Sequence, residues 1–298
     1  MGFSLPTLRF IAREHKHHPL PGPVLTLGRQ CVYATFSEVI NMLREEGLIT
    51  HPLPKNFSRQ TNIHDWKNTA YENNLPDTAF FYLLTGQASQ SLDISTYEDA
   101  EYIWDLNKPI PKDWQGKFGT IIDSGTLEHL FDIRQSMANI VDLLQPRGRI
   151  IHISPANNYM EHGFYQFSPT FFYDYYGRNQ FSHLRCFIAE QPVSKIEKGK
   201  WKFWQWSEKR PYLRLTSRHM LAVYFSAQKT PTSTAHAIPQ QGDFLKNADK
   251  GKTNVRKVPA WQETIYTRMP RWMIVAAKRI LGIDKTIKPW GLHFRGKL

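Results

Sequence analysis

The feature that most constrains the fold is a series of short apolar segments, three of which end at an aspartate. Asp93, Asp105 and Asp123 lie at or just after the ends of three such segments, in order along the chain. The segments are residues 91–94, 101–104 and 119–122. Short apolar runs that alternate with helical stretches are typical of parallel strands covered by helices. We therefore expect an α/β domain.

Two stretches between these segments have the apolar spacing of amphipathic helices. Residues 36–43 carry one stripe; Thr35 and Glu38 have the spacing of a capping box, and Gly47 ends the helix. Residues 133–144 carry the second stripe. Together with the strands, these helices predict a doubly wound, mostly parallel seven-stranded sheet. The predicted strands are residues 24–27, 91–94, 101–104, 119–122, 149–153, 187–193 and 220–227.

The domain boundaries follow from changes in composition along the 298 residues. We expect an N-terminal extension over 1–20, an α/β domain over 21–229 with an insertion at about 50–76, a linker over 230–258 and a basic C-terminal tail over 259–298. More than half of the 38 Lys and Arg, but fewer than a quarter of the 26 Asp and Glu, follow residue 194. The net charge of +12 therefore belongs mainly to the last third of the chain.

Several classes of protein are excluded by composition. Two cysteines cannot build a disulfide framework, and the first residues lack the order of a secretory signal, so a cytoplasmic location is expected. No apolar run approaches the roughly 18 residues of a spanning helix. The basic tail has two interpretations: an amphipathic helix at a membrane surface, which would make the protein peripheral, or a helix packed on its own domain. Oligomeric state is left open.

The aspartates at the strand ends predict a ligand site. In an open parallel sheet, ligands bind beyond the carboxyl ends of the strands, so these side chains converge on one crevice. Asp93 is placed to accept the hydroxyl protons of a ribose, and Asp105 to accept the exocyclic amine of adenine. The alternative is that either aspartate caps a helix or starts a turn.

Three motifs then resemble one known family. They are Asp105-Leu106-Asn107-Lys108-Pro109-Ile110-Pro111, the segment from Phe118 to Leu130 with its Glu128-His129 pair, and Leu144-Gln145-Pro146-Arg147-Gly148-Arg149. They are similar to the class I S-adenosylmethionine-dependent methyltransferases, specifically the group acting on small molecules and sugars. The resemblance covers residues 24–228 and is specific over 92–155. It implies the Rossmann-like methyltransferase fold with S-adenosylmethionine as cofactor.

The resemblance also implies a set of cofactor contacts and shows one departure. The implied contacts are Gly28, Asp93, Asp105, Leu106, Asp123 and Glu128. In the family, the first strand ends in an acid and a loop with several glycines. Here residues 25–31 contain one glycine and no acid. Arg29 and Gln30 either replace the lost contacts or obstruct the cofactor.

Two histidines are the candidate catalytic residues. His129 follows the fourth strand and His162 the fifth, so both are expected on the acceptor side, where a neutral imidazole can serve as a base near neutral pH. We favour His162 for this role, with Tyr165 and Gln166 as polar groups of the substrate pocket. A purely structural role for either histidine stays open.

Two functions remain in competition. The first is a methyltransferase acting on a small-molecule or saccharide acceptor at an oxygen or nitrogen atom. The second is a binding or scaffold protein that kept the fold, lost the cofactor and uses its basic tail on an acidic partner or membrane surface. Nucleic acid is not expected, because no base-flipping signature follows the fourth strand. No metal site is predicted, since the cluster of His15, His17 and His18 lacks a carboxylate or thiolate partner at ligand spacing.

Overall fold

The computed structural model describes most of the chain as one α/β domain. It describes residues 2–59, 73–96, 98–192, 200–207, 217–242, 273 and the backbone of 293–297. The helices in these ranges are α1 (Leu5–His17), α2 (Phe36–Glu45), α3 (Asp77–Thr85), α4 (Ile133–Leu143) and α5 (Pro169–Arg178). The strands are β1 (Val24–Leu27), β2 (Ser89–Asp93), β3 (Tyr102–Ile103), β4 (Phe118–Ser124), β5 (Leu144–Pro155), β6 (Ser182–Gln191), β7 (Lys202–Gln205), β8 (Met220–Gln228) and β9 (His293–Lys297).

The described strands form one sheet in the order β3-β2-β1-β4-β5-β8-β6-β7-β9. The pairs β3-β2, β2-β1, β1-β4 and β4-β5 are parallel, whereas β8 is antiparallel to both β5 and β6. The predicted doubly wound, mostly parallel sheet of seven strands is thus confirmed. Two antiparallel strands, β7 and β9, extend it beyond β6, and the sequence analysis did not predict them. The chain leaves β1 toward β2 on one side and later returns to β4 on the other, so a topological switch point lies between β1 and β4.

Helices cover both faces of the sheet because successive strand residues point to opposite sides. On β5, Ile150 belongs to the core cluster that contains α4 and α5, and the next residue, Ile151, belongs to the cluster that contains α1, α2 and α3. Both isoleucines are fully buried. A strand buried on both faces has a continuous apolar run, which is the pattern on which the strand predictions rested.

The predicted N-terminal extension is instead part of the domain. Ser4 caps α1 by accepting a hydrogen bond from the Thr7 N–H at 3.3 Å. Leu8 and Ile11 are fully buried, and the Phe10 ring packs edge-on against Tyr224 of β8 with centroids 4.9 Å apart. The predicted extension over 1–20 thus packs on the sheet through its apolar residues, while Lys16 and His17 at the end of α1 stay exposed.

A buried charge cluster fastens α1 to the sheet. The Glu14 carboxylate lies 3.1 Å from Arg149 Nη2 and 3.1 Å from Arg185 Nη1, and it accepts a hydrogen bond from Ser226 Oγ at 2.7 Å. Arg149 also donates to the carbonyls of Glu14 and His18. Glu14 and Arg149 are each 1% exposed. Each buried charge therefore has a charged partner and hydrogen bonds.

The first part of the predicted linker packs on the domain. Tyr175 Oη donates to the Ala235 carbonyl at 2.8 Å, and Asn179 Nδ2 donates to the Ala237 carbonyl at 3.0 Å. Residues 230–242 are thus held against α5. The amphipathic helix predicted within 259–298 lies outside the described residues, apart from Met273 and the backbone of β9.

In the part of the chain that the structure describes, none of the helices is long and apolar enough to span a membrane.

Candidate functional site

The carboxyl end of β1 meets the loop after β4 at the switch point. Gly28 follows β1 with φ of +72°, a conformation that favours glycine, and its N–H donates to the Leu92 carbonyl at 2.7 Å. A methyl group added at Gly28 would lie 3.7 Å from Asp93 Oδ2, from Gln30 Nε2 and from Thr126 Oγ1. The structure therefore brings β1, β2 and the β4 loop together around this glycine.

The loop after β1 has no further glycines, and hydrogen bonds of Gln30 hold its backbone. Its side-chain Nε2 donates to the Leu27 carbonyl at 3.0 Å and to the Gly28 carbonyl at 3.3 Å, and its backbone N–H donates to Asp77 Oδ2 at 3.1 Å. Gln30 is 5% exposed, and its Oε1 is buried without a hydrogen bond from any described residue. A hydrogen-bond acceptor is thus left beside Gly28.

Arg29 is anchored on the connection between β2 and β3. Its Nη2 donates to both carboxylate oxygens of Glu101 at 2.8 Å, and its Nη1 lies 3.7 Å from Asp77 Oδ1. Glu101 also accepts a hydrogen bond from the Ser91 N–H at 2.6 Å. Burial raises the pKa of Asp77 to about 6, although Arg29 opposes this shift. These contacts tie the loop after β1 to the edge of the sheet.

The two aspartates predicted to bind the cofactor have different surroundings. Asp93 Oδ1 accepts the Ser95 N–H at 3.0 Å, and its Oδ2 is one of the atoms nearest Gly28. Asp105 Oδ1 accepts both the backbone N–H and the side-chain amide of Asn107, at 3.0 and 2.9 Å, which lowers the pKa of Asp105. Asp93 thus lies close to Gly28 at the switch point, whereas the hydrogen bonds of Asp105 close the turn that follows it.

The resemblance implies Leu106 as a cofactor contact, and the structure places this residue in the core beneath α4. It is 3% exposed. Its carbonyl accepts hydrogen bonds from Ser136 Oγ at 3.2 Å and from Asn139 Nδ2 at 2.9 Å. Both its side chain and its carbonyl are therefore engaged in packing.

Asp123, which the resemblance also implies as a cofactor contact, is fully buried near the end of β4. Its Oδ2 lies 2.7 Å from His152 Nδ1, and its Oδ1 accepts the N–H groups of Thr126 and Leu127 at 3.2 and 3.3 Å. His152 Nε2 in turn lies 2.6 Å from Tyr176 Oη. Since β4 continues to Ser124, the side chain of Asp123 points into the interior and orients the loop that follows.

Glu128 lies next in that loop, in the short 3-10 turn Leu127–His129. It is fully buried, and neither of its carboxylate oxygens accepts a hydrogen bond from a described residue. Among the described residues, the basic side chain nearest to this carboxylate is His162, whose Nε2 lies 3.6 Å from Glu128 Oε1. The His129 and His162 rings have their centroids 5.4 Å apart. The structure thus brings together both predicted catalytic histidines and Glu128.

The segment after β5 is held tightly against this turn. Gly163 has φ of +95°, and a Cβ there would lie 2.7 Å from the Glu128 carbonyl oxygen, so only glycine fits without a shift. The Phe164 N–H donates to the same carbonyl at 2.6 Å. The position of His162 beside Glu128 is therefore fixed by backbone contacts.

The predicted substrate groups lie on the outer side of this segment. Tyr165 Oη donates to the Phe131 carbonyl at 2.8 Å, so this hydroxyl joins the two loops. Gln166 is exposed. Three large apolar side chains nearby are also exposed, namely Phe131 at 72%, Met160 at 83% and Phe164 at 65%. We call these three residues the apolar rim.

The surroundings of His129 lower the pKa of its imidazole, which favours the neutral form. Loss of solvent around the ring lowers the pKa of His129, Glu128 raises it and His162 lowers it again. A neutral imidazole offers one nitrogen lone pair to a proton or to a metal ion. Glu128, His129 and His162 each present one ligand atom, and these atoms lie within 4.8 Å of one another.

The sequence analysis missed several residues at the site. Thr126 Oγ1 donates to the Leu27 carbonyl at 2.8 Å and so joins the β4 loop to β1. The contacts of Arg29 with Asp77 and Glu101 were also missed. Their sequence separations of 48 and 72 leave no local pattern from which to infer them. For Thr126, the only sequence signal was its position as a polar residue just after the end of a strand.

No protein-family profile and no curated protein matches the chain. Solved structures similar to it include 1,6-didemethyltoxoflavin-N1-methyltransferase from Burkholderia thailandensis with bound S-adenosylhomocysteine, 12% identical over 76% of this chain and 78% of that one, with a TM-score of 0.36. A SAM-dependent methyltransferase from Archaeoglobus fulgidus is 10% identical over 76% and 95%, with a TM-score of 0.40. The trans-methyltransferase CalH is 13% identical with a TM-score of 0.35; the match covers 76% of this chain but only 55% of CalH. Scores this low decide neither the fold nor the function of this chain.

Proposed function

We propose that this protein is an S-adenosylmethionine-dependent methyltransferase that acts on a small-molecule or saccharide acceptor. The observation that carries the proposal is the placement of Asp93 Oδ2 beside Gly28 at the switch point of the sheet. Thr126 connects this point to the turn that holds Glu128 and His129. A carboxylate for a ribose and a cluster of basic groups for an acceptor thus adjoin the same loop.

The residues around Gly28 fit the cofactor. The carboxylate of Asp93 suits the two hydroxyls of a ribose, because a charged acceptor forms strong hydrogen bonds to both. The unpaired Gln30 Oε1 is a hydrogen-bond acceptor that suits a donor-rich group such as an ammonium. The guanidinium of Arg29 is held by Glu101, on the connection between β2 and β3, and by Asp77.

The chemistry that bound S-adenosylmethionine supplies is an electrophilic methyl group on a sulfonium. In the transfer, the bond from sulfur to the methyl carbon breaks, and the bond from the acceptor oxygen or nitrogen to that carbon forms. The protein contributes positioning and a place for the acceptor proton. We assign the acceptor atom to the side of Glu128, His129 and His162, where nitrogen lone pairs and a carboxylate face one another.

The acceptor class is inferred from the entrance to this cluster. The apolar rim exposes three large side chains next to the polar groups at the ends of β4 and β5. Aromatic faces bind the flat faces of rings, including sugar rings, while the polar groups reach hydroxyls. A ring-containing small molecule or a saccharide fits both features, and methylation at oxygen or nitrogen stays part of the proposal.

The test is calorimetric titration with S-adenosylmethionine and S-adenosylhomocysteine. We expect one site per chain, and Asp93→Asn should weaken binding by about 10- to 100-fold, because hydrogen bonds to a charged group are lost. Asp113→Asn is the matched control, since Asp113 is an exposed aspartate away from the site. The affinity of this control variant for both ligands should equal that of the unchanged protein.

Two results would contradict the proposal. One is the absence of both heat and thermal stabilisation with either ligand, which would favour the binding or scaffold function with its basic tail. The other is equal affinity of Asp93→Asn and Asp113→Asn, which would remove Asp93 from the site.

A further inference from the structure

We infer that Glu128, His129 and His162 form a binding site for one divalent transition-metal ion. The sequence analysis predicted no metal site, because these residues are adjacent only after folding. Two imidazoles and one carboxylate are a ligand set that proteins use for catalytic Zn²⁺ and for related first-row ions with open coordination positions.

The distances suit a shared ion better than a direct interaction. Glu128 Oε1 and His162 Nε2 are 3.6 Å apart, which is longer than an ordinary hydrogen bond between these atoms. Two ligands that bind one tetrahedral ion at about 2.1 Å lie about 3.4 Å from each other. All three ligand atoms lie within 4.8 Å. His129 is the most exposed of the three residues, so its ring is the least confined by packing.

The burial of unpaired polar atoms is a second and independent observation. Both oxygens of Glu128 and the Nε2 atom of His162 are buried and form no hydrogen bonds within the described ranges. Buried polar groups in proteins are almost always paired, so several unpaired atoms that face one another indicate a ligand. A metal cation satisfies a carboxylate and an imidazole lone pair at once.

The structure also provides the support that a metal site needs. Backbone hydrogen bonds to the Glu128 carbonyl fix the segment that carries His162. Gly163 keeps this segment in contact with the turn, because a larger residue would clash with the Glu128 backbone. Ligands held by rigid backbone lose little conformational freedom when the ion binds.

The role of the ion rests on the proposed function, whereas its binding does not. With three protein ligands, the ion keeps open positions for an acceptor hydroxyl or for water. Coordination would lower the pKa of that hydroxyl and orient its oxygen for methyl transfer. In the metal-bound site the two histidines act as ligands and do not take up the proton directly. The proton of the methyl-acceptor hydroxyl leaves to solvent.

The binding experiment uses the full chain, freed of metal by a chelator and then dialysed, without S-adenosylmethionine. Equilibrium dialysis with Zn²⁺ should give one ion per chain. Titration with Co²⁺ should give visible absorption bands that Zn²⁺ abolishes, because Zn²⁺ displaces Co²⁺ from the same ligands. Glu128→Gln, His129→Ala and His162→Ala should each weaken binding of both ions at least about tenfold.

His17→Ala is the matched control, because it removes an exposed histidine from the His15 to His18 cluster. It should leave Zn²⁺ and Co²⁺ binding unchanged. His129→Ala keeps the test decisive if a buried variant fails to fold, since His129 is exposed. Absence of binding, or equal binding by His129→Ala and the unchanged protein, overturns the inference. A parallel titration with S-adenosylhomocysteine separates this failure from a failure of the proposed function.

Discussion

Glu14 and Glu128 are equally buried but have opposite surroundings. Glu14 on α1 is 1% exposed, forms ion pairs with two arginines and accepts a hydrogen bond from a serine hydroxyl. Glu128 after β4 is fully buried, and its oxygens form no hydrogen bonds to the residues described. Burying an unpaired charge costs several kcal/mol, so the first arrangement preserves the fold and the second is retained at a cost to it.

The comparison indicates which buried carboxylate serves stability and which serves function. A charge that the protein itself neutralises needs nothing from outside, whereas an unpaired one is completed by a ligand. Asp77 lies between these extremes, because two backbone N–H groups and a more distant Arg29 compensate it in part. Three substitutions and one control sharpen this comparison.

The largest effect is expected for Glu14→Gln. Removing the carboxylate leaves Arg149 and Arg185 beside each other without a counter-charge, so the free energy of unfolding should fall by about 3–5 kcal/mol. Urea denaturation at neutral pH measures this change. A loss below about 1 kcal/mol would show that the cluster is not what fastens α1 to the sheet.

The next largest effect is a dependence of the free energy of unfolding on pH, caused by Asp77. Because the pKa of Asp77 is raised from 3.8 to about 6 in the folded protein, its contribution to stability is fully present below the unfolded pKa and is lost as the pH rises through 6. Relative to Asp77→Asn, the unchanged protein should lose about 1–3 kcal/mol between pH 4 and pH 7. Urea denaturation of both proteins at several pH values measures it. A constant difference across this range would contradict the shift.

A smaller effect of opposite sign is expected for Glu128→Gln. In the presence of a chelator, removing an unpaired buried charge should leave the free energy of unfolding unchanged or raise it by about 1 kcal/mol. Zn²⁺ should stabilise the unchanged protein and not the variant, since only the folded site binds the ion. A destabilisation similar to that of Glu14→Gln would mean that Glu128 has structural partners.

The smallest effect is expected for Glu45→Gln. The side chain of Glu45 is 62% exposed, and its ion pair with Arg9 has an N to O distance of 2.6 Å. Exposed ion pairs contribute at most about 1 kcal/mol, so the unfolding free energy should change by less than that. Urea denaturation beside Glu14→Gln tests whether burial, rather than pairing alone, decides the size of the effect.

Part of the site could be inferred from the sequence, and the rest depends on packing between distant segments. Asp93 lies at a strand end that the sequence indicated, close to Gly28, and the rings of His129 and His162 adjoin. The burial of Asp123 could not be inferred, because β4 is buried along its whole length and the partner His152 lies 29 residues away.

The sequence by itself determined the α/β class, the order of strands and helices over most of the domain, and the positions of the strand ends, because periodicity and turn residues act locally. Only the tertiary structure decided that α1 belongs to the core and that Glu14 finds two arginines more than 130 residues away. It also decided that Glu128 lies beside His162 and that its carboxylate accepts no hydrogen bond from the residues that the structure describes. Such pairings depend on how distant segments pack. A charged group costs free energy only when folding buries it, so this cost depends on the tertiary structure.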